Sequence, residues 1–218
     1  MKKAIVLLSG GIDSATTLYL AGKKFLPTAL IFDYGQRHKK EIKSAKSIAK
    51  KAGCRYKILK LPFPAEGSVL LDKNRRVPKT RPLKEIKKSV PSTYVPARNL
   101  VFLSVASSFA ESVKAEAVFI GAHSQDYSGY PDCRGEFFDI FGKVIAAGTK
   151  YGKRLKIYAP LLNKKKSEII KTAVRLNVPL ELTWSCYEGG PEPCGMCESC
   201  FFRKRAFKEL DIEDPYYA

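Results

Sequence analysis

Short apolar runs and segments of helical period take turns along this chain, and that alternation limits its architecture more than anything else. AIVLL (4–8), TALIFD (28–33) and AVFIG (117–121) are nearly continuous apolar stretches of strand length, the pattern of strands buried on both faces. RYKILKL (55–61) alternates like a strand, and KIYAPLL (156–162) completes the set. Between them, helical spacing begins at Asp13, with Ala15, Leu18 and Leu20 on it, and recurs over 38–52 at Ile42, Ala45, Ile48, Ala49 and Ala52. Further helices are expected over 97–114, 136–147 and 165–177, with a short basic one near the C-terminus. The prediction is a doubly wound, Rossmann-like α/β fold: a parallel sheet with helices on both faces.

With 218 residues, 45% of them hydrophobic, the chain has material for one such domain with elaborations. That content excludes a largely disordered protein. No apolar run approaches the ~20 residues of a transmembrane helix. The stretch from Ala4 to Leu8 is shorter than the ~7–15 residues of a signal-peptide core. A cytoplasmic protein is therefore expected. Net charge is +18, and it is uneven: residues 37–88 hold 18 of the 39 Lys and Arg against four acids. Such a patch suits a phosphate-bearing partner, and equally a solvated lysine-rich face. Residues 62–93, with five prolines, are too long for an ordinary loop.

SGGIDS (9–14) falls between the first strand and the first helix, where a doubly wound sheet places its ligand. Gly10 and Gly11 permit a tight turn that brings N–H groups to an anion. Ser9 and Ser14 add hydroxyls, and the helix N-terminus adds partial positive charge. Neither the mononucleotide nor the dinucleotide glycine pattern is present. Asp13 is unexpected in an anion cradle unless it faces Mg²⁺ or caps the helix.

Cys186, Cys194, Cys197 and Cys200 are spaced C-x7-C-x2-C-x2-C among glycines and prolines. Four soft ligands at this density fit a structural Zn²⁺. An iron–sulfur cluster is the main rival, but no cysteine lies downstream of Cys200 to continue a ferredoxin-type run.

LSGGIDSATTL (8–18) resembles the pyrophosphate loop of the N-type ATP pyrophosphatases. DYGQRH (33–38), VPARN (95–99), DYSGYPDCR (126–134), PLLNKKKSEI (160–169) and TWSCY (183–187), together with the cysteines, make the chain similar to the 7-cyano-7-deazaguanine synthase family from about residue 4 to 207. The resemblance implies an adenine nucleotide α-hydrolase type of fold, with 1–180 as the ATP pyrophosphatase domain and 181–218 as a zinc knuckle and helical tail packed onto it. It implies a ligase that joins 7-carboxy-7-deazaguanine and ammonium at the expense of ATP, through adenylated acid and amide. Its helpers would be Mg²⁺ and a structural zinc, and its state a homodimer with no membrane or direct nucleic-acid partner.

Carried over residue by residue, Leu8, Ser9, Gly10, Gly11, Ile12, Asp13 and Ser14 would hold pyrophosphate, and Ala15, Thr16, Thr17 and Leu18 would complete the loop's helix. Asp33 would lie near adenosine. Asp13, Lys166 and Arg98 are the catalytic candidates, although Lys164 and Lys165 compete with Lys166. Asp126 and Asp132 would read the donor edge of the base, Arg134 would meet a carboxylate, and Tyr130 would stack. Each has a plain structural alternative: a cap for Arg98 and Asn99, and a local ion pair for Asp132 and Arg134. The competing functions are a tRNA thiolase and a zinc-stabilised nucleic-acid module without catalysis.

Overall fold

The computed structural model describes residues 1–79, 90–123 and 130–217. Five parallel strands form one sheet: β1 (Lys2–Leu7), β2 (Phe25–Asp33), β3 (Arg55–Lys60), β4 (Ala117–Phe119) and β5 (Lys156–Tyr158). Their order across the sheet is β3-β2-β1-β4-β5. The order reverses at β1, so a crevice opens at the carboxyl ends of β1 and β4.

The period-2 alternation of β1 divides the core. Ala4, Val6 and Leu8 face one side, and Ile5 and Leu7 the other. On the first side pack α1 (Ile12–Gly22), α2 (Lys40–Lys51), α5 (Lys166–Arg175) and α6 (Glu198–Glu209), through residues such as Leu18, Ile48, Ile169 and Phe207. On the second pack α3 (Arg98–Ser112) and α4 (Gly135–Gly148), through Leu103, Ala106, Phe138 and Phe141. Both faces are covered, as the strand composition requires.

Two strands are shorter than their apolar runs. β5 ends at Tyr158 rather than Leu162, and the Leu162 N–H closes a turn on Ala159 O at 3.2 Å. Pro160 has no N–H to give to a ladder, so the fully buried Leu161 reaches the core from that turn. β4 likewise stops at Phe119 instead of Gly121.

The tail is anchored by a buried charge. Arg203 of α6 is fully buried, donating to both oxygens of Asp214 (2.7 and 2.8 Å) and to Thr183 Oγ1 (2.9 Å). Among the described residues no helix is long and apolar enough to cross a membrane.

Candidate active site and four-cysteine knuckle

The segment after β1 folds onto the hydroxyl of Ser14. Ser14 Oγ donates to Gly11 O (3.0 Å) and accepts from Ser9 N–H (3.1 Å), while Ala15 N–H starts the helix on Gly11 O (3.0 Å). The first-turn N–H groups of α1 have no carbonyls of their own helix to bond, and they open into the crevice with the positive end of the helix dipole. Gly10, at φ +93°, lies where a Cβ would come within 2.3 Å of Glu41 O on α2. We expect Gly10→Ala to cost about 2–4 kcal/mol of stability, since both strain and clash must be relieved. Urea denaturation checks this loss.

Two distant chain segments converge on Asp13. Lys166, the first residue of α5, places Nζ 2.5 Å from Asp13 Oδ1, and His123, just beyond β4, places Nε2 3.4 Å from Oδ2. Burial alone would raise this carboxyl. The Lys166 ammonium, and then His123, outweigh it and hold the group well below the usual carboxylate range. Of the three consecutive lysines, the structure brings Lys166 to the loop. Glu168 fixes the helix start behind it, accepting from Lys165 N–H at 2.7 Å.

The cleft is about 250 Å³. Leu8, Ser9, Gly11, Ile12, Asp13, Ser14, Lys166, Arg98 and Tyr130 all line it, from among the residues singled out by sequence. Gly10 backs the loop against α2. Ala15, Thr16, Thr17 and Leu18 are buried within α1, where Thr16 Oγ1 donates to Ile12 O at 2.8 Å. Asp33 ends β2 and pairs with Lys39 outside the cleft lining. Asp132 is buried too, with one oxygen accepting the Asn99 N–H of α3 at 2.9 Å, and so it positions Arg98 next door. Arg134 is exposed at the start of α4. Neither Asp132 nor Arg134 lines the cleft, and they make no ion pair with each other among the described residues. Asp126 lies outside the described residues.

Sequence reasoning missed several cleft residues: Gln36, Glu41, Phe102, Trp184, Ser185, Tyr187 and Ser199. Gln36 had a signal in DYGQRH, and Trp184 to Tyr187 in TWSCY. Glu41, set among lysines on an amphipathic helix, had none. Cys133 and His123 line the cleft as well. Burial pushes the Cys133 thiol up to about 12, which makes it a poor nucleophile.

The knuckle gathers the Sγ atoms of Cys186, Cys194, Cys197 and Cys200 within 4.8 Å of one another. Backbone N–H groups of Cys194 and Cys197 reach the sulfurs of Cys186 and Cys194, each at 3.3 Å. A donor set of four sulfurs stabilised by N–H groups fits a metal ion, with zinc the natural choice for four thiolates. The knuckle also touches the turn after β1. Trp184 N–H donates to Gly10 O (2.9 Å), Trp184 Nε1 donates to Cys186 O (2.7 Å), and the His38 ring reaches the same carbonyl at 3.0 Å. Gly189, at φ +69°, gives the His38 ring its room, since a Cβ there would fall 2.3 Å from it.

Part of the basic connection is laid over this corner. Arg37 Nη1 donates to Val69 O, Asp72 O and Arg75 O at 2.7–2.9 Å, and Lys79 bridges to Cys197. Residues 80–89 of that segment lie outside the described residues.

Comparison with known proteins fits this geometry. The family model described as "Queuosine biosynthesis protein QueC" matches residues 3–211. The chain belongs to this family. Curated relatives named 7-cyano-7-deazaguanine synthase include those of Thermoplasma volcanium (48% identical over 217 residues, 98% of this chain and 90% of the relative) and Acetivibrio thermocellus (50% over 221 residues, 98% and 96%). Among solved structures, the fold resembles the U34-tRNA thiolase NcsA of Methanococcus maripaludis with its [4Fe-4S] cluster (TM-score 0.52, 20% identical, covering 96% of this chain and 65% of that one). It also resembles NMN synthetase of Francisella tularensis (TM-score 0.51, 18% identical, 97% and 78%).

Proposed function

We propose that this chain converts 7-carboxy-7-deazaguanine and ammonium to 7-cyano-7-deazaguanine, with ATP spent to AMP and pyrophosphate. The observation that carries the reading is the near-full-length likeness to relatives named for that product. The chemistry is reasonable from first principles. A carboxylate is a poor electrophile and AMP a good leaving group, so adenylating the acid lets ammonia form the amide. Adenylating the amide oxygen lets it depart as AMP and leaves the nitrile. Both activations use one phosphate cradle.

In this reading the N–H groups of Gly11 to Ser14 bind the β- and γ-phosphates, and Lys166 takes up charge that builds on the transferring phosphoryl group. Asp13 would hold Mg²⁺, whose contribution is further neutralisation of the phosphates. Arg98 and Tyr130 line the part of the cleft assigned to the organic substrate, with Arg98 near the developing charge and Tyr130 against the base. Asp132 and Asn99 keep α3 where Arg98 needs it. The four cysteines would hold a structural zinc. The same reading makes the protein a cytoplasmic homodimer, in which residues 1–180 and 181–218 act as one unit.

Pyrophosphate release tests the function. Release that depends on the free carboxylated base is the expected result. Release only in the presence of tRNA would move the chain to the thiolases, a class that its basic charge also suits, and no release would leave a binding module.

A further inference from the structure

Making a nitrile from ammonium removes four hydrogens from one nitrogen, two on the way to the amide and two more on the way to the nitrile. Each leaves as a proton while its electron pair stays on nitrogen, so no oxidant is involved and a base is required. The cleft offers few. Asp13 is ion-paired with Lys166 and is the group that would hold Mg²⁺. Tyr34 and Cys133 are pushed up to about 12 by burial and stay protonated. His123 turns Nε2 toward Asp13.

Glu41 differs. It projects from the first turn of α2 and lines the cleft. Among the described residues no hydrogen bond or ion pair engages its carboxylate; Arg98 on α3 and Tyr34 after β2 are the charged and titratable groups that face it. Tyr130 and Cys133 flank Arg98 beyond. We infer that Glu41 is a further catalytic residue, the proton acceptor for the nitrogen nucleophile. This rests on the nitrile-forming reaction proposed above. As the C–N bond forms and the C–O bond to AMP breaks, AMP leaves with the electron pair and a Glu41 oxygen takes the N–H proton. Glu41 then releases it to solvent and is ready for the next. A carboxylate also attracts the ammonium cation. Burial pushes its carboxyl up to about 7 while Arg98 pulls it back, which suits a base working near neutrality.

The test separates two half-reactions. Exchange of labelled pyrophosphate into ATP, with the acid present and ammonium absent, reports adenylation alone. Glu41→Gln should keep that exchange within about twofold and lose about 10²–10⁴-fold in ammonium-dependent turnover. Plotted against free ammonia, wild-type turnover should fall as pH drops below about 7, and the variant should lack that limb. Parallel loss of exchange and turnover would overturn the inference, placing Glu41 in nucleotide or acid binding. Unchanged turnover would overturn it as well. Should Glu41→Gln fail to fold by thermal melting, Glu41→Ala, which also removes the carboxylate, decides by the same two readouts. A wild-type protein with no acid-dependent exchange sinks the proposed function itself, a result distinct from any difference between variants.

Discussion

Lys166→Met should lower the exchange half-reaction by about 10²–10³-fold, the loss typical of removing one preorganised charge from a transition state. A second effect should accompany it. Lys166 is the main counter-charge that keeps the half-buried Asp13 carboxyl ionised. Without it, burial pushes that carboxyl upward, opposed by His123 alone. In the wild type Asp13 should therefore stay ionised across the neutral range, and exchange should show no pH dependence from this group. The residual activity of the variant should fall as pH drops, because an increasing fraction of Asp13 becomes protonated. Lys165→Met is the control: Lys165 is the residue that caps α5, and its loss should change exchange little. Equal losses in both variants would remove the special place of Lys166. Loss without the new pH dependence would show that Lys166 acts on phosphate and not on Asp13.

Cys197→Ser should cost the protein about one equivalent of zinc and about 10 °C or more in melting temperature, since metal binding free energy is folding free energy for such a knuckle. Cys197 sits at the centre of the site. It caps α6, its N–H donates to Cys194 Sγ, and it pairs with Lys79 of the basic connection. The damage should spread to the phosphate loop, because Trp184 joins the loop carbonyl of Gly10 to the carbonyl of Cys186. Nucleotide affinity should thus fall in the metal-depleted protein at temperatures where it remains folded. Elemental analysis, calorimetry and nucleotide titration measure the three effects. Iron and inorganic sulfide in the purified protein would replace zinc in this account, and full stability after chelation would make the four sulfurs an ordinary part of the core.

The parts of this site that are contiguous in the chain were legible before the fold. The glycines and serines of residues 9–14 and the four cysteines of 186–200 need only local chemistry to be read. The strands were legible too, although Pro160 cut β5 short where hydrophobicity alone ran on to Leu162. The conduct of individual charges was less legible. Asp13 looked misplaced in an anion cradle, and its explanation lies 153 residues away at Lys166. Asp132 looked like a group for reading a substrate, and the structure turns one of its oxygens to the start of α3. Glu41 carries no signal of its own in the sequence, and only the folded cleft singles it out.

The amino-acid sequence by itself determined the fold class, the glycine–serine turn after the first strand and the four-sulfur knuckle, because periodicity, turn chemistry and ligand spacing act over a few neighbouring residues. Only the tertiary structure decided which of three lysines meets Asp13, which carboxylates are spent on helix ends, and that Trp184 ties the knuckle to Gly10. Those contacts depend on strand order and on the phase of each helix at its first turn. Both are set by packing across the whole sheet, and no short stretch of sequence records them.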